Sequence, residues 1–558
     1  MHRPRIRSFA LLLTLFLPLA GFASAYNAQP KLIVVIIIDQ FRGDYLERNR
    51  SQFGPAGFRL FLDRGAVFLN CYYDYANTRT APGHATLLTG AYSNGHGIAA
   101  NEWWDPAAHS VIGSVEDRNA KLIGPTGPGG TGASPRHLLA GTLGDELKLA
   151  TNGKARVFGI ALKDRAAVLP AGFSGDGAYW IERSSGAFIS SSYYVSELPQ
   201  WVRAFDSGRA EKYWDREWKD ASGKVLRTTA RRKLPDGTPN PKAGFYEVVG
   251  ATPFANDYEL EFARELITQE KLGRGTATDL LAISLSAPDI LGHEVGPNDP
   301  QVDAMNLALD RQVADFFSFL GQQLGQGNFW LALSADHGIA PLPRYAAEKL
   351  RLPAANLDSE ALGEAANKEL AARFPQARGP LIANMVWPFA FLSQEAFAAA
   401  GISEADAERA AGEALTKVAG WRGFFTRAQL AEGRVPADDQ GRIYARSYTP
   451  YGGWYVLGFP PPFVVGYSKI TDHSTAYSYD RHVPLAFFGG PFVPGLYRTH
   501  SEPVDLAVTL ASLLGINAPT NAVGRVLTEA LATQRAGRAA TSGSIPRPSG
   551  AQPTGVQP

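Results

Sequence analysis

The sequence predicts an α/β fold, a three-layer sandwich with a largely parallel central sheet and capping insertions. Three observations lead there. Short apolar runs rich in Val, Ile and Leu, without polar alternation, recur at 32–38, 156–162, 280–285, 329–333 and 484–488, the pattern of strands buried on both faces. Helical patterns separate these runs, and strands alternating with helices point to a parallel sheet. Residues able to do chemistry stand directly after the first four runs.

The first element along the chain is a leader. Arg3, Arg5 and Arg7 precede an apolar stretch over 9–20 and then Ala23-Ser24-Ala25, the charge, apolar run and small-residue site of a secretory signal cleaved after Ala25. The run falls short of the ~20 residues that span a bilayer. No later stretch is apolar and long enough to do so, so the expected product is free of the membrane and periplasmic or secreted. Cys71 is the one cysteine in 558 residues, which excludes internal disulfides and a thiolate metal cluster. With 45% hydrophobic and 19% charged residues the chain can bury a large core. The formal charge of +1 offers no global basic surface for nucleic acid, but it leaves open how a local cleft is lined.

Residues 26–533 are expected to form one catalytic domain, with insertions at about 176–256 and 346–467 where aromatic, glycine-rich and proline-rich stretches break the strand-helix pattern. An alanine-rich helix is expected over 403–418. A second independent domain is the alternative for the later segment, which is of domain size. Residues 534–558 are rich in Gly, Ser, Pro and Gln and read as a disordered tail.

Asp39 follows the first run, Lys163 and Arg165 the second, Asp289 and His293 the third, Asp336 and His337 the fourth. In open α/β sheets ligands bind beyond the strands' carboxyl ends, so residues some 300 positions apart can converge on one site. Asp289 and His293 are four apart and share one face of a helical turn. Asp336 and His337 are adjacent at a strand end and can serve two neighbouring ions, or they form a buried ion pair. Asp39 is either a ligand or a cap for the following helix. Thr80 lies two residues before Pro82, which favours the first turn of a helix. Free N–H groups and the helix dipole there favour an anion, although an ordinary capping Thr has the same signature.

These residues lie in seven ordered blocks: Asp39-Gln40-Phe41-Arg42, Thr80-Ala81-Pro82-Gly83-His84, Asn101-Glu102-Trp103-Trp104, Leu162-Lys163-Asp164-Arg165, Asp289-Ile290-Leu291-Gly292-His293, Ala335-Asp336-His337-Gly338, and His473 ahead of Tyr479-Asp480-Arg481-His482. In them the sequence resembles the alkaline phosphatase superfamily, and within it the PafA-type bacterial alkaline phosphatases. The resemblance implies an alkaline-phosphatase-like sandwich and hydrolysis of small-molecule phosphate monoesters with Thr80 as nucleophile. It implies two zinc ions per chain, one held by Asp39, Thr80, Asp336 and His337, the other by Asp289, His293 and His473. Asn101, Lys163 and Arg165 are implied to grip phosphate oxygens, and His84 and His482 to support the site. The family has His-Gly before its Ser or Thr, whereas this chain has Asp472-His473-Ser474.

The chemistry of the residues agrees with that implication. Carboxylates and imidazoles without thiolate suit zinc better than calcium or magnesium. A phosphodiesterase of the same superfamily is the alternative, and Lys163 with Arg165 argues for the more highly charged monoester. An inactive metal-binding protein is the alternative outside the enzymes. A sulfatase is excluded, because Cys71 is followed by Tyr72-Tyr73-Asp74-Tyr75 rather than by the Pro and Arg that such a nucleophile requires.

Overall fold

Seven consecutive apolar residues, Leu32–Ile38, form strand β1, every one of them buried, and the other strands assemble on its two edges. The computed structural model describes residues 29–126, 130–234, 240, 243–466 and 470–532. The expected leader and the expected tail lie outside the described residues. In chain order the strands of the central sheet are β1, β2 (Ala66–Phe68), β3 (Glu116–Ile123), β4 (Thr131–Ala133), β5 (Val157–Ala161), β6 (Gly177–Ile181), β7 (Phe188–Ser191), β8 (Asp279–Leu285), β9 (Phe329–Ser334), β10 (Leu485–Phe488) and β11 (Gly495–Tyr497). They lie side by side as β11-β2-β10-β9-β1-β8-β5-β6-β7-β3-β4.

The five central strands β9, β1, β8, β5 and β6 are parallel, as expected for runs buried on both faces. β10 is not. The run at 484–488 reads as another parallel strand, yet β10 pairs antiparallel with β9, Leu485 lying opposite Ser334. An all-apolar run reports burial and is silent on direction. The reversal has a use: the start of β10 lies at the edge where the parallel strands end, so the loop before it reaches the same edge.

The segment after β5 extends the sheet through β6 and β7. Between β9 and β10 the chain builds a separate four-stranded antiparallel sheet from Ile382–Val386, Phe389–Leu392, Tyr455–Phe459 and Gly423–Thr426. Helices Ser359–Arg373 and Glu404–Ala419 pack on one face of that sheet around Leu370, Ala411, Leu415 and Trp421. Its other face, with Phe389, Phe391 and Tyr455, joins Ala81 and Ala85 of the main body. No helix among the described residues is long and apolar enough to cross a membrane.

Candidate active site

The helix Thr80–Thr89 is the element that fixes the site. All ten of its residues are buried, and it ends where Gly90 turns left-handed at φ 66. Thr80 is its first residue, so the helix's open N–H end lies beside the Thr80 hydroxyl. The helix lies hard against the end of β9. A Cβ on Gly83 would come within 2.3 Å of the Asp336 carbonyl oxygen, so only glycine allows that approach.

Around Thr80 the strand ends converge. Asp39 follows β1, Lys163 follows β5, Asp336 and His337 follow β9, and Asp289 and His293 share the helix Ala287–Val295 after β8. His473 enters from the loop ahead of β10. Thus all seven residues read as metal ligands, drawn from positions 39 to 473, gather at one sheet edge. Asp289, His293 and His473 form one group able to hold an ion, and Asp39, Asp289 and His337 form a second. Asp289 therefore belongs to both groups, where the sequence reading places it in one. Asp336 completes the second cluster, its Oδ2 lying 3.5 Å from His337 Nε2. The His337 and His473 rings stack at 3.7 Å, so the two groups are adjacent.

Three features fit this arrangement to metal. First, each imidazole is fixed by its other nitrogen: Nδ1 of His293, His337 and His473 bonds to the carbonyls of Thr471, Gly338 and Thr78, at 3.0, 2.9 and 2.7 Å. Carbonyls only accept, so Nδ1 carries the proton and Nε2 is left as a lone-pair donor facing the carboxylates. Second, Asp39 Oδ1, Asp336 Oδ2 and His337 Nε2 are buried without hydrogen-bond partners and face one another. Third, burial and then the neighbouring Asp39 push the Asp336 carboxyl well above the ordinary range. Two carboxylates in such contact are stabilised by a cation between them.

Lys163 supplies one positive charge. Its Nζ lies 2.5 Å from Asp39 Oδ2, 2.6 Å from Asp289 Oδ2 and 3.5 Å from Thr80 Oγ1. Burial alone lowers an ammonium's pKa, but the Asp289 and Asp39 carboxylates outweigh it and hold Lys163 charged. Arg165 lines the same cavity of about 270 Å³ with its Nε unpartnered. Asn101 Oδ1 accepts from the Ala81 amide at 2.8 Å, which leaves the NH₂ end of the side chain for a ligand.

Four further residues belong to the site that sequence reasoning gave no role. Gln40 ties the two groups together: its amide N–H donates to Asp336 Oδ1 at 3.0 Å and its side chain to Asp289 Oδ1 at 2.6 Å. Asp472, Tyr246 and Arg79 line the cavity. Neighbours of ligands in the sequence were the one available signal, and it points to Gln40, Asp472 and Arg79. His84 bonds the Thr80 carbonyl and Ser284 Oγ, both at 2.8 Å, and burial lowers its pKa to about 4, so it is neutral. His482 bonds the Leu69 carbonyl and stacks on Tyr72.

Comparison with known proteins places this geometry in a class. The crystal structure of wild-type alkaline phosphatase PafA matches with a TM-score of 0.81 and 30% identity, covering 90% of this chain and 99% of that one. The fold is therefore alkaline-phosphatase-like. In sequence the chain is 31% identical over 530 residues to alkaline phosphatase PafA of Elizabethkingia meningoseptica, covering 90% of this chain and 95% of that protein. It is 31% identical over 529 residues to alkaline phosphatase PhoV of Synechococcus elongatus, covering 90% and 93%. A Myroides odoratus protein named calcium-transporting ATPase is 33% identical over 537 residues, covering 92% and 97%. Residues 33–377 match the family described as type I phosphodiesterase / nucleotide pyrophosphatase. The chain belongs to that family, among its PafA-type alkaline phosphatases.

Proposed function

We propose that this chain is an exported, zinc-dependent alkaline phosphatase that hydrolyses phosphate monoesters through a phosphothreonine on Thr80. The observation that carries the reading is the seat of Thr80, at the open end of a wholly buried helix and beside two overlapping Asp/His groups. Asp39, Thr80, Asp336 and His337 hold one ion and Asp289, His293 and His473 the other. When bound, two zinc ions supply positive charge for the attacking and leaving oxygens and lower the pKa of water.

Thr80 Oγ1 attacks phosphorus, the bond to the ester oxygen breaks, and the alcohol leaves. Water then attacks the phosphothreonine and releases inorganic phosphate. The Lys163 ammonium and the helix N-terminus both favour the Thr80 alkoxide over the alcohol. Arg165 and the Asn101 amide bind the non-bridging oxygens, and charge-assisted bonds of this kind are worth about 1.5–3 kcal/mol each.

Acid quench during turnover of a ³²P-labelled monoester, followed by peptide mapping, should place the label on Thr80. Thr80→Ala should lower kcat by several orders of magnitude while leaving the fold intact, and Thr80→Ser should keep far more activity. Label on another residue, or a near wild-type rate in Thr80→Ala, overturns the covalent route. The family description supports a second reading, a diesterase, which the Arg165 variant discussed below separates from the first.

A further inference from the structure

The residue before the nucleophile has a role that the monoesterase reading does not use. Arg79 is extended, at φ −135 and ψ 166, and its carbonyl accepts the Gly83 amide, so its backbone is fixed as the start of the helix. Its side chain lines the cavity and reaches the inserted sheet, where Nη2 donates to the Trp387 carbonyl at 2.5 Å. Nε is buried without a partner, and among the described residues no carboxylate pairs with the guanidinium. By contrast Arg442, Arg446 and Arg481 converge on Asp74, and the buried Lys163 on two carboxylates, whereas Arg165 in the same cavity also keeps its Nε unpartnered. Arg79 offers five donors and spends one. A cation so placed favours an anion.

Its position tells which anion. His473 bonds the Thr78 carbonyl, so the 78–79 backbone runs along the group containing Asp289, His293 and His473. On the proposed covalent route, an oxygen expelled in line from Thr80 departs toward that group. On the same wall Ser359 Oγ is also buried without a partner. Ser359 and Met385 also line a neighbouring cavity of about 730 Å³, whose charged side chains are Asp358, Glu360 and Glu364. A leaving group has room to extend, and although Glu102 and Asp472 also line the site, a negative charge on it is favoured beside Arg79 and repelled by the acidic side chains of the larger cavity.

Building on the monoesterase reading, we propose that Arg79 is a specificity-determining residue that selects phosphate esters of short hydroxy acids, binding the leaving group's carboxylate. The test compares phosphoglycolate with 2-hydroxyethyl phosphate, which have leaving groups of equal length and differ in charge. The kcat/KM ratio of the first to the second should fall about tenfold in Arg79→Gln and by an intermediate factor in Arg79→Lys. In the wild type the ratio should decline as salt rises, and in Arg79→Gln it should be flat. Equal losses on both esters make Arg79 a positioning residue for Thr80 and overturn the proposal, as does an unchanged ratio. Wild-type enzyme that turns over neither these esters nor an aryl phosphate overturns the monoesterase reading together with this inference. Turnover with an unmoved ratio overturns the inference alone.

Discussion

Arg165 and Lys163 sit two residues apart, yet they face different demands. Lys163 spends two of its three donors on Asp39 and Asp289, whereas Arg165 lines the cavity with its Nε unpartnered and, among the described residues, only Asp164 near its guanidinium, at 3.6 Å. Discrimination between substrate charges therefore falls to Arg165. Arg165→Ala should lower kcat/KM on an aryl phosphate monoester by about ten- to a hundredfold, the loss of one charge-assisted pair. A matched diester carries less charge on its phosphoryl group and should lose less. Equal losses, or a larger loss on the diester, return the protein to the phosphodiesterase reading. Ser474 is the second residue with a consequence. It stands where the family has glycine, and its φ of 86 lies in the left-handed region that glycine favours. Its hydroxyl is buried without a partner, so glycine loses nothing there. Ser474→Gly should stabilise the fold by about 0.5–1 kcal/mol, the strain relieved less the entropy that glycine adds to the unfolded chain. A urea midpoint at or below wild type would show the backbone to be at ease. Most residues legible from the sequence ended apolar runs, because a charge at the edge of a buried strand has few structural explanations, whereas Thr80 was marked by Pro82 and Asn101 and His473 only by the family resemblance. Gln40, Asp472, Tyr246 and Arg79 carry no such mark, since each acquires its place by the approach of a distant element.

Helix Glu404–Ala419 is legible from its composition, and Ser403 caps it by accepting from the Asp406 amide. What the composition hides is Glu408, buried on the face against the inserted sheet, with Oε1 unpartnered and Oε2 accepting from the Ala428 amide at 3.3 Å. Burial, against the pull of that amide, pushes its carboxyl up from 4.5 to about 7. A group whose folded pKa is raised holds its proton more tightly in the folded state. Its contribution to stability is intact below about pH 4.5 and is lost as pH rises through 7. Glu408→Gln should thus melt higher than wild type at pH 8, by the equivalent of about 2 kcal/mol, and match it at pH 4.5. A difference that does not change with pH would mean that the carboxyl is ionised and paired in the fold. Strand β10 teaches a related lesson at the same scale. Burial was written in its residues, but its direction was set by what it pairs with.

For the molecule as a whole, the acidic strand ends make stability and activity share a cause. Asp39, Asp289 and Asp336 are buried together with one ammonium among them, so the proposed zinc ions bind the folded chain alone and stabilise it by mass action. A strong chelator should abolish activity and lower the melting temperature, and zinc should restore both. Restoration by calcium alone, or full activity in protein shown to be metal-free, defeats the zinc assignment.

The reversed strand β10 also sets an order of events in time. Thr80 and the cluster of Asp39, Asp336 and His337 lie within the first 337 residues, whereas His473 arrives only after the inserted sheet, on the loop that β10 pulls against β9. A chain whose β10 has not yet paired with β9 carries Thr80 in its helix, yet His473 is not held beside Asp289 and His293. Such late, long-range closure is slow compared with local folding. The second group is therefore completed only when β10 pairs with β9, so activity should switch on with that pairing rather than grow in by degrees.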